Sequence, residues 1–171
     1  LTAGVDTRKG ADTRFAALST SEAIEELVSL QDPALLNKMA ENARQARRYG
    51  LKTFAALRMW DAYPADAPIF ANHPGLRGAE ILHFVNKPPV GFIPCSEHPL
   101  MRRYLEESVQ SLFRNIPLDG ILIIIGGENF QHCFMRSADV EKGHTNCERC
   151  EKLGAETVVA NMCNYMAEAA R

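Results

Sequence analysis

The sequence predicts an α/β fold assembled from parallel βα units. Three observations carry this expectation. Helical and strand signals alternate along the 171 residues. The run from Ile121 to Ile125 is apolar on both faces, which suits a parallel strand covered by helices on each side. A helical pattern passes directly into a strand pattern through a tight Tyr49-Gly50 turn. Two architectures fit this order, a doubly wound sheet and part of a (β/α)8 barrel.

The elements follow in chain order. Residues 1–5 read as the tail of a strand, and residues 6–10 as a polar loop. Ser19 with Glu22 fits a capping box, and Ile24, Leu27 and Val28 continue at helical spacing. Asp32-Pro33 marks a second helix start, a side-chain cap followed by a proline whose missing amide does no harm there. Leu35, Leu36, Met39, Ala43 and Ala46 form its apolar stripe, Arg47 and Arg48 suit its C-terminal dipole, and Gly50 stops it. Residues 51–57 read as a strand. Residues 59–97 read as a long loop rich in Pro and Gly, which is functional or hides short elements such as one at 81–85. Ser96 is the expected cap of the next helix, with Pro99 in its first turn and an apolar face from Leu100 to Ile116. The strand at 120–125 follows, then a polar loop through Lys152, then a last amphipathic helix along Val158, Met162 and Met166.

Composition narrows the function. Apolar residues make up 46% and charged residues 23%, a globular profile. The 19 Lys+Arg against 21 Asp+Glu give a net charge of −2, which argues against nucleic-acid binding as the main role. The aliphatic run at 121–125 falls far short of a membrane span. No Gly-rich phosphate loop or dinucleotide fingerprint is present. Five cysteines are an odd and sparse set, unlike a disulfide-stapled scaffold, and leave the compartment open.

In either architecture the working groups lie at the carboxyl ends of parallel strands. Those positions hold Asp6 and Arg8, then Arg58, Trp60 and Asp61, then Glu128, Asn129 and His132. Carboxylates and guanidinium groups bind hydroxyls directionally, and tryptophan stacks on a sugar ring, so the set suits a carbohydrate substrate. Glu128 is the sharpest residue. Gly126 and Gly127 precede it and admit close approach, and the aliphatic run before it favours a desolvated carboxyl with a raised pKa, as a general acid needs. The plainer readings are a solvated loop glutamate, an Arg58 that pairs with Asp61 or Asp6, and a Trp60 packed under a loop.

Cys147-x-x-Cys150, with Cys133, His132 and His144 nearby, has the residue types of a structural zinc site bracing the loop after Glu128. Two thiolates on one knuckle need two further ligands, and Cys133 with His132 or His144 would supply them. The alternatives are free thiols or one disulfide. No cofactor is required for the chemistry expected of Glu128.

The segments Pro94-Cys-Ser-Glu-His-Pro99, Leu112-Phe113, Ile124-Ile-Gly-Gly-Glu-Asn-Phe130 and Asn146-Cys-Glu-Arg-Cys150 resemble family 20 glycoside hydrolases, the β-N-acetylhexosaminidases. Arg47-Arg-Tyr-Gly-Leu51 resembles the same family's helix-to-strand junction. The resemblance covers about residues 34–170. It implies a (β/α)8 barrel, of which the chain holds about units two to four, as a single partial domain over 1–171 with the rest of the barrel supplied by a parent chain. It also implies substrate-assisted retaining hydrolysis, in which an Asp of a Gly-Gly-Asp-Glu motif orients the 2-acetamido group and the Glu protonates the leaving oxygen.

Two departures mark the chain as divergent. Glu128 takes the Asp position and Asn129 the Glu position, and an amide cannot deliver a proton. The family's Glu-Ile-Asp-Met-Pro-Gly-His strand end reads Ala56-Leu-Arg-Met-Trp-Asp-Ala62. The expectation is therefore a glycosidase in which Glu128 is the acid or the main sugar-contacting carboxylate. Asn129 holds a substituent or the 2-hydroxyl, and Asp61 or a carboxylate from the missing strands completes the pair. A catalytically silent carbohydrate-binding relative and a zinc-stabilised α/β interaction module are the alternatives. A complete barrel needs about 250 residues, so the chain's length fits part of a domain.

Overall fold

The computed structural model describes residues 15–57, 62–82, 89–123, 125 and 132–171. Within these the fold is α/β, with one parallel and one antiparallel strand pair. No barrel closes among the described residues, so the (β/α)8 architecture is not formed by them.

Two single-turn helices come first, α1 (Phe15–Leu18) and α2 (Glu25–Val28). The expected capping box does not form. Ser19 Oγ accepts instead from the Ser21 amide at 2.9 Å and bonds to Ser108 Oγ at 2.6 Å, so its hydroxyl folds a local turn against the next layer. Helix α3 (Pro33–Arg48) starts where the sequence predicts, with Asp32 Oδ1 accepting from the Leu35 amide at 2.9 Å. It buries Ala40, Ala43 and Ala46, small residues that allow close approach to its neighbours. Gly50, at φ +69, ends it in the left-handed region.

Strand β1 (Phe54–Leu57) follows, shorter than the expected 51–57. Its start is clamped to the fourth strand. The Thr53 amide donates to Asp119 Oδ2 and the Asp119 amide to the Thr53 carbonyl, both at 2.8 Å.

The described part of the proline-rich stretch does hide short elements. It contains α4 (Pro68–Asn72), a 3-10 turn at Pro74–Leu76, and an antiparallel hairpin of β2 (Arg77–Leu82) and β3 (Pro89–Pro94). This overturns the expectation that every crossover is a βα unit. Pro89 and Pro94, at the two ends of β3, disguise it in the sequence, because proline has no amide to give a ladder.

Helix α5 (Pro99–Asn115) is capped by His98, not Ser96. His98 Nδ1 accepts from the Leu100 amide at 3.2 Å. Burial, then the Arg149 and His73 charges, hold the ring pKa low and keep that nitrogen available as an acceptor. The helix buries Met101, Tyr104, Leu105, Val109 and Leu112. Strand β4 (Gly120–Ile123) pairs in parallel with β1, Phe54 opposite Gly120 and Leu57 opposite Ile123. It is not covered on both faces by the described residues, because Leu122 is 59% exposed. Helices α6 (Glu148–Leu153) and α7 (Ala155–Ala169) complete the chain. Among the described residues no helix is long and apolar enough to cross a membrane.

One hydrophobic core runs through the described residues. It takes in Phe15, Leu18, Tyr104 and Met162 at the helical end, and Ile81, Ile93 and the cysteines Cys95, Cys133 and Cys150 at the hairpin end.

Candidate metal centre

Three chain segments converge at the hairpin end and between them deliver four thiols. Cys95 follows directly on β3, and its amide donates to the Leu76 carbonyl at 2.8 Å. Cys133 lies in the irregular segment before α6. Cys147 stands at the entry to α6 and Cys150 within it.

The segment carrying Cys133 is stitched to the outer edge of β2. The Leu82 amide donates to the Arg136 carbonyl at 2.9 Å and the Ala138 amide to Glu80 at 2.8 Å. Asn146 closes the same loop: its Oδ1 accepts from the Glu80 amide and from Ser137 Oγ, each at 3.1 Å. Thr145 Oγ1 donates to the Cys133 carbonyl at 2.5 Å and accepts from the Cys147 amide at 3.2 Å. This short polar network fixes Cys133 and Cys147 relative to each other.

The four sulfurs of Cys95, Cys133, Cys147 and Cys150 all lie within 4.8 Å of one another. Cys95 Sγ is 3.5 Å from Cys150 Sγ and 3.8 Å from Cys147 Sγ. A disulfide needs about 2.05 Å between sulfurs, so these are thiols, not a bridged pair. Four sulfurs at about 2.3 Å from one tetrahedral ion lie about 3.8 Å apart, which matches the spacing found. All four cysteines are buried. Packing them together splits their acidities: hydrogen bonding from Cys133 holds the Cys147 thiol low, and the same contact pushes the Cys133 thiol up.

Gly78 makes room for the cluster. A Cβ built there would lie 2.8 Å from Cys133 Sγ, 2.8 Å from the Ile93 carbonyl oxygen and 3.2 Å from Cys95 Cα. The hairpin strand therefore presents bare backbone to the sulfurs.

The structure gathers three members of the expected set and replaces the fourth. Cys133, Cys147 and Cys150 come together, but neither His132 nor His144 joins them. His132 Nδ1 accepts from the Phe134 amide at 3.3 Å, and burial pushes its pKa down. His144 is exposed and donates from Nδ1 to Glu151 at 2.6 Å, an interaction that raises its pKa. Cys95 is the fourth member. No spacing in the sequence links it to the Cys147 knuckle, because the antiparallel hairpin of β2 and β3 carries it there.

A cavity of about 890 Å³ opens beside the cluster. Cys147 lines it together with Arg77, Arg149, Lys152 and Phe92.

Of the expected carbohydrate-site residues, His132 is described, and it lies in the segment that carries Cys133. Asp6, Arg8, Arg58, Trp60, Asp61, Glu128 and Asn129 lie outside the described residues. No protein-family model matches the chain, and neither the curated proteins nor the solved structures give a significant match.

Proposed function

We propose that the chain is a zinc-stabilised α/β domain in which Cys95, Cys133, Cys147 and Cys150 hold one structural zinc ion. The convergence of four buried sulfurs within 4.8 Å carries this reading. A tetrahedral all-sulfur set selects zinc or iron among common metals. Zinc, with no geometric demand of its own, suits a closed site that braces a loop. Four protein thiolates fill the coordination sphere and leave no position for a substrate, so the ion's role here is structural rather than catalytic.

Metal analysis of reductively purified protein tests this, and one zinc per chain is expected. Cobalt substitution should give thiolate-to-cobalt charge-transfer absorption. Cys95→Ser should weaken binding as much as Cys147→Ser, while His132→Ala and His144→Ala retain the metal. Protein without metal, or with iron in place of zinc, refutes the assignment.

A second reading concerns the other end of the sheet. We infer a glycoside-hydrolase-like role on a carbohydrate, such as an N-acetylhexosaminide, with the metal centre bracing the loop beyond the catalytic strand. It is supported by the parallel pairing of β1 and β4, with Leu57 opposite Ile123. Both strands run in the same direction, and in sequence Arg58, Trp60 and Asp61 follow β1 while Glu128 and Asn129 follow β4. Active sites of parallel α/β folds gather at the carboxyl ends of the strands. Hydrolysis of an aryl N-acetylglucosaminide by the full-length protein is the test. Glu128→Gln should lower the rate by about 100-fold or more, as loss of a general acid does. Full activity in that variant removes Glu128 from the role, and saturable sugar binding without turnover identifies a silent binding relative.

A further inference from the structure

The four cysteines are not equally buried. Cys95, Cys133 and Cys150 are completely buried, whereas Cys147 keeps 6% of its surface. Among the cysteines of the cluster, Cys147 alone lines the cavity of about 890 Å³. The cavity's charged lining is Arg77, Arg149 and Lys152 against one carboxylate, Glu148, in a chain whose overall charge is −2. Arg77 lies over the Phe92 ring at 5.0 Å. Both terminal guanidinium nitrogens of Arg149 donate to the Gly75 carbonyl at 3.3 Å, which fixes that cation beside the centre. Thiolates in electropositive, partly accessible surroundings are the reactive ones, and fully buried ones are inert.

We propose that Cys147 is a covalent-modification site, the ligand at which hydrogen peroxide or a small electrophile enters the metal centre, with Cys95 as its resolving partner. The proposal rests on the zinc reading, since the metal keeps the sulfurs as thiolates. The Cys147 sulfur attacks one peroxide oxygen: an S–O bond forms, the O–O bond breaks, and the departing hydroxide takes a proton to become water. The Cys95 sulfur, 3.8 Å away, then attacks the Cys147 sulfur. The S–S bond forms, the S–O bond breaks, and the oxygen leaves as a second water after protonation. Two thiolates lose two electrons, peroxide gains two, and zinc is released with two of its four ligands gone. The cavity cations favour negatively charged reagents over neutral ones of the same size.

The test uses zinc-loaded protein carrying Cys163→Ser, which removes the thiol outside the cluster. Zinc is counted first, so absence of metal refutes the zinc reading separately. Limiting hydrogen peroxide should release zinc in step with one Cys95–Cys147 disulfide, mapped by peptide mass. Limiting iodoacetamide should label Cys147 before the other three, in the zinc-loaded and the metal-free reduced protein alike. The iodoacetate-to-iodoacetamide rate ratio should fall about threefold or more in an Arg77→Gln, Lys152→Gln variant. A first disulfide of any other pair, equal labelling of all four cysteines, or an unchanged rate ratio overturns the proposal.

Discussion

Gly78 shows how tightly a single position is tied to the cluster. A methyl group there meets the Cys133 sulfur and the Ile93 carbonyl oxygen at 2.8 Å, and the second of these is backbone that cannot swing aside. Overpacking of this kind costs about 1–3 kcal/mol. Gly78→Ala should therefore lower the melting temperature by several degrees and weaken metal retention. Gly75→Ala is the matched control, because its nearest neighbour is the His98 ring at 3.3 Å, clear of the 2.8 Å contacts met at Gly78. Thermal melts of both variants with zinc loaded decide the matter, and equal stability of the two contradicts the close-approach argument. The same residue scale explains why the fourth cysteine of the cluster was hidden. Cys147 and Cys150 announce themselves by spacing, since one turn of chain brings them together. Cys95 is brought in by pairing between strands, and His144 looks suitable only because it is near in sequence, while its ring is engaged by Glu151.

At the scale of elements, local chemistry was readable and long-range pairing was not. Asp32-Pro33 and Gly50 delimit α3 because capping and left-handed termination act within a few residues. The apolar face of α5 was equally plain, but its cap was misplaced by two residues. A histidine whose ring stays neutral does the work expected of Ser96. The hairpin of β2 and β3 left little signal. Pro89, Gly91 and Pro94 are poor strand residues, and β3 gains its place from β2 and from Tyr63, whose amide and carbonyl both bond to Phe92 at 2.8 Å. Strand β4 differs in the opposite sense among the described residues. Its unbroken aliphatic run suggests cover on both faces, yet Phe54 and Leu122 are 49% and 59% exposed on the parallel pair. Apolar pattern reports what a strand favours, and the neighbours that satisfy it come from elsewhere in the fold.

At the scale of the whole molecule, the two ends of the core are held by different means. Helices α3, α5 and α7 supply long apolar faces, with Met101, Tyr104, Leu112, Val158 and Met162 fully buried or nearly so. Among the described residues, the hairpin end has a two-stranded ladder, an irregular segment and the six residues of α6. An isolated two-stranded hairpin is marginal in water, so this end needs another source of stability. In the proposed zinc site, four thiolates on one ion would join three stretches of chain, and binding free energy at such a site is folding free energy. Chelation should therefore loosen the molecule unevenly. Hydrogen exchange read residue by residue, with and without a zinc chelator, gives the measurement. The amides of Leu82 and Ala138, which bond across to Arg136 and Glu80, should exchange about tenfold faster or more once the metal is gone, a change of about 1.4 kcal/mol in local opening. Amides in the middle of α5, such as Val109, should keep their protection, because apolar contacts hold that helix. Unchanged exchange at Leu82 and Ala138 would show that the hairpin end stands without the ion. Equal loss throughout α5 would show that the metal supports the whole core rather than one end of it.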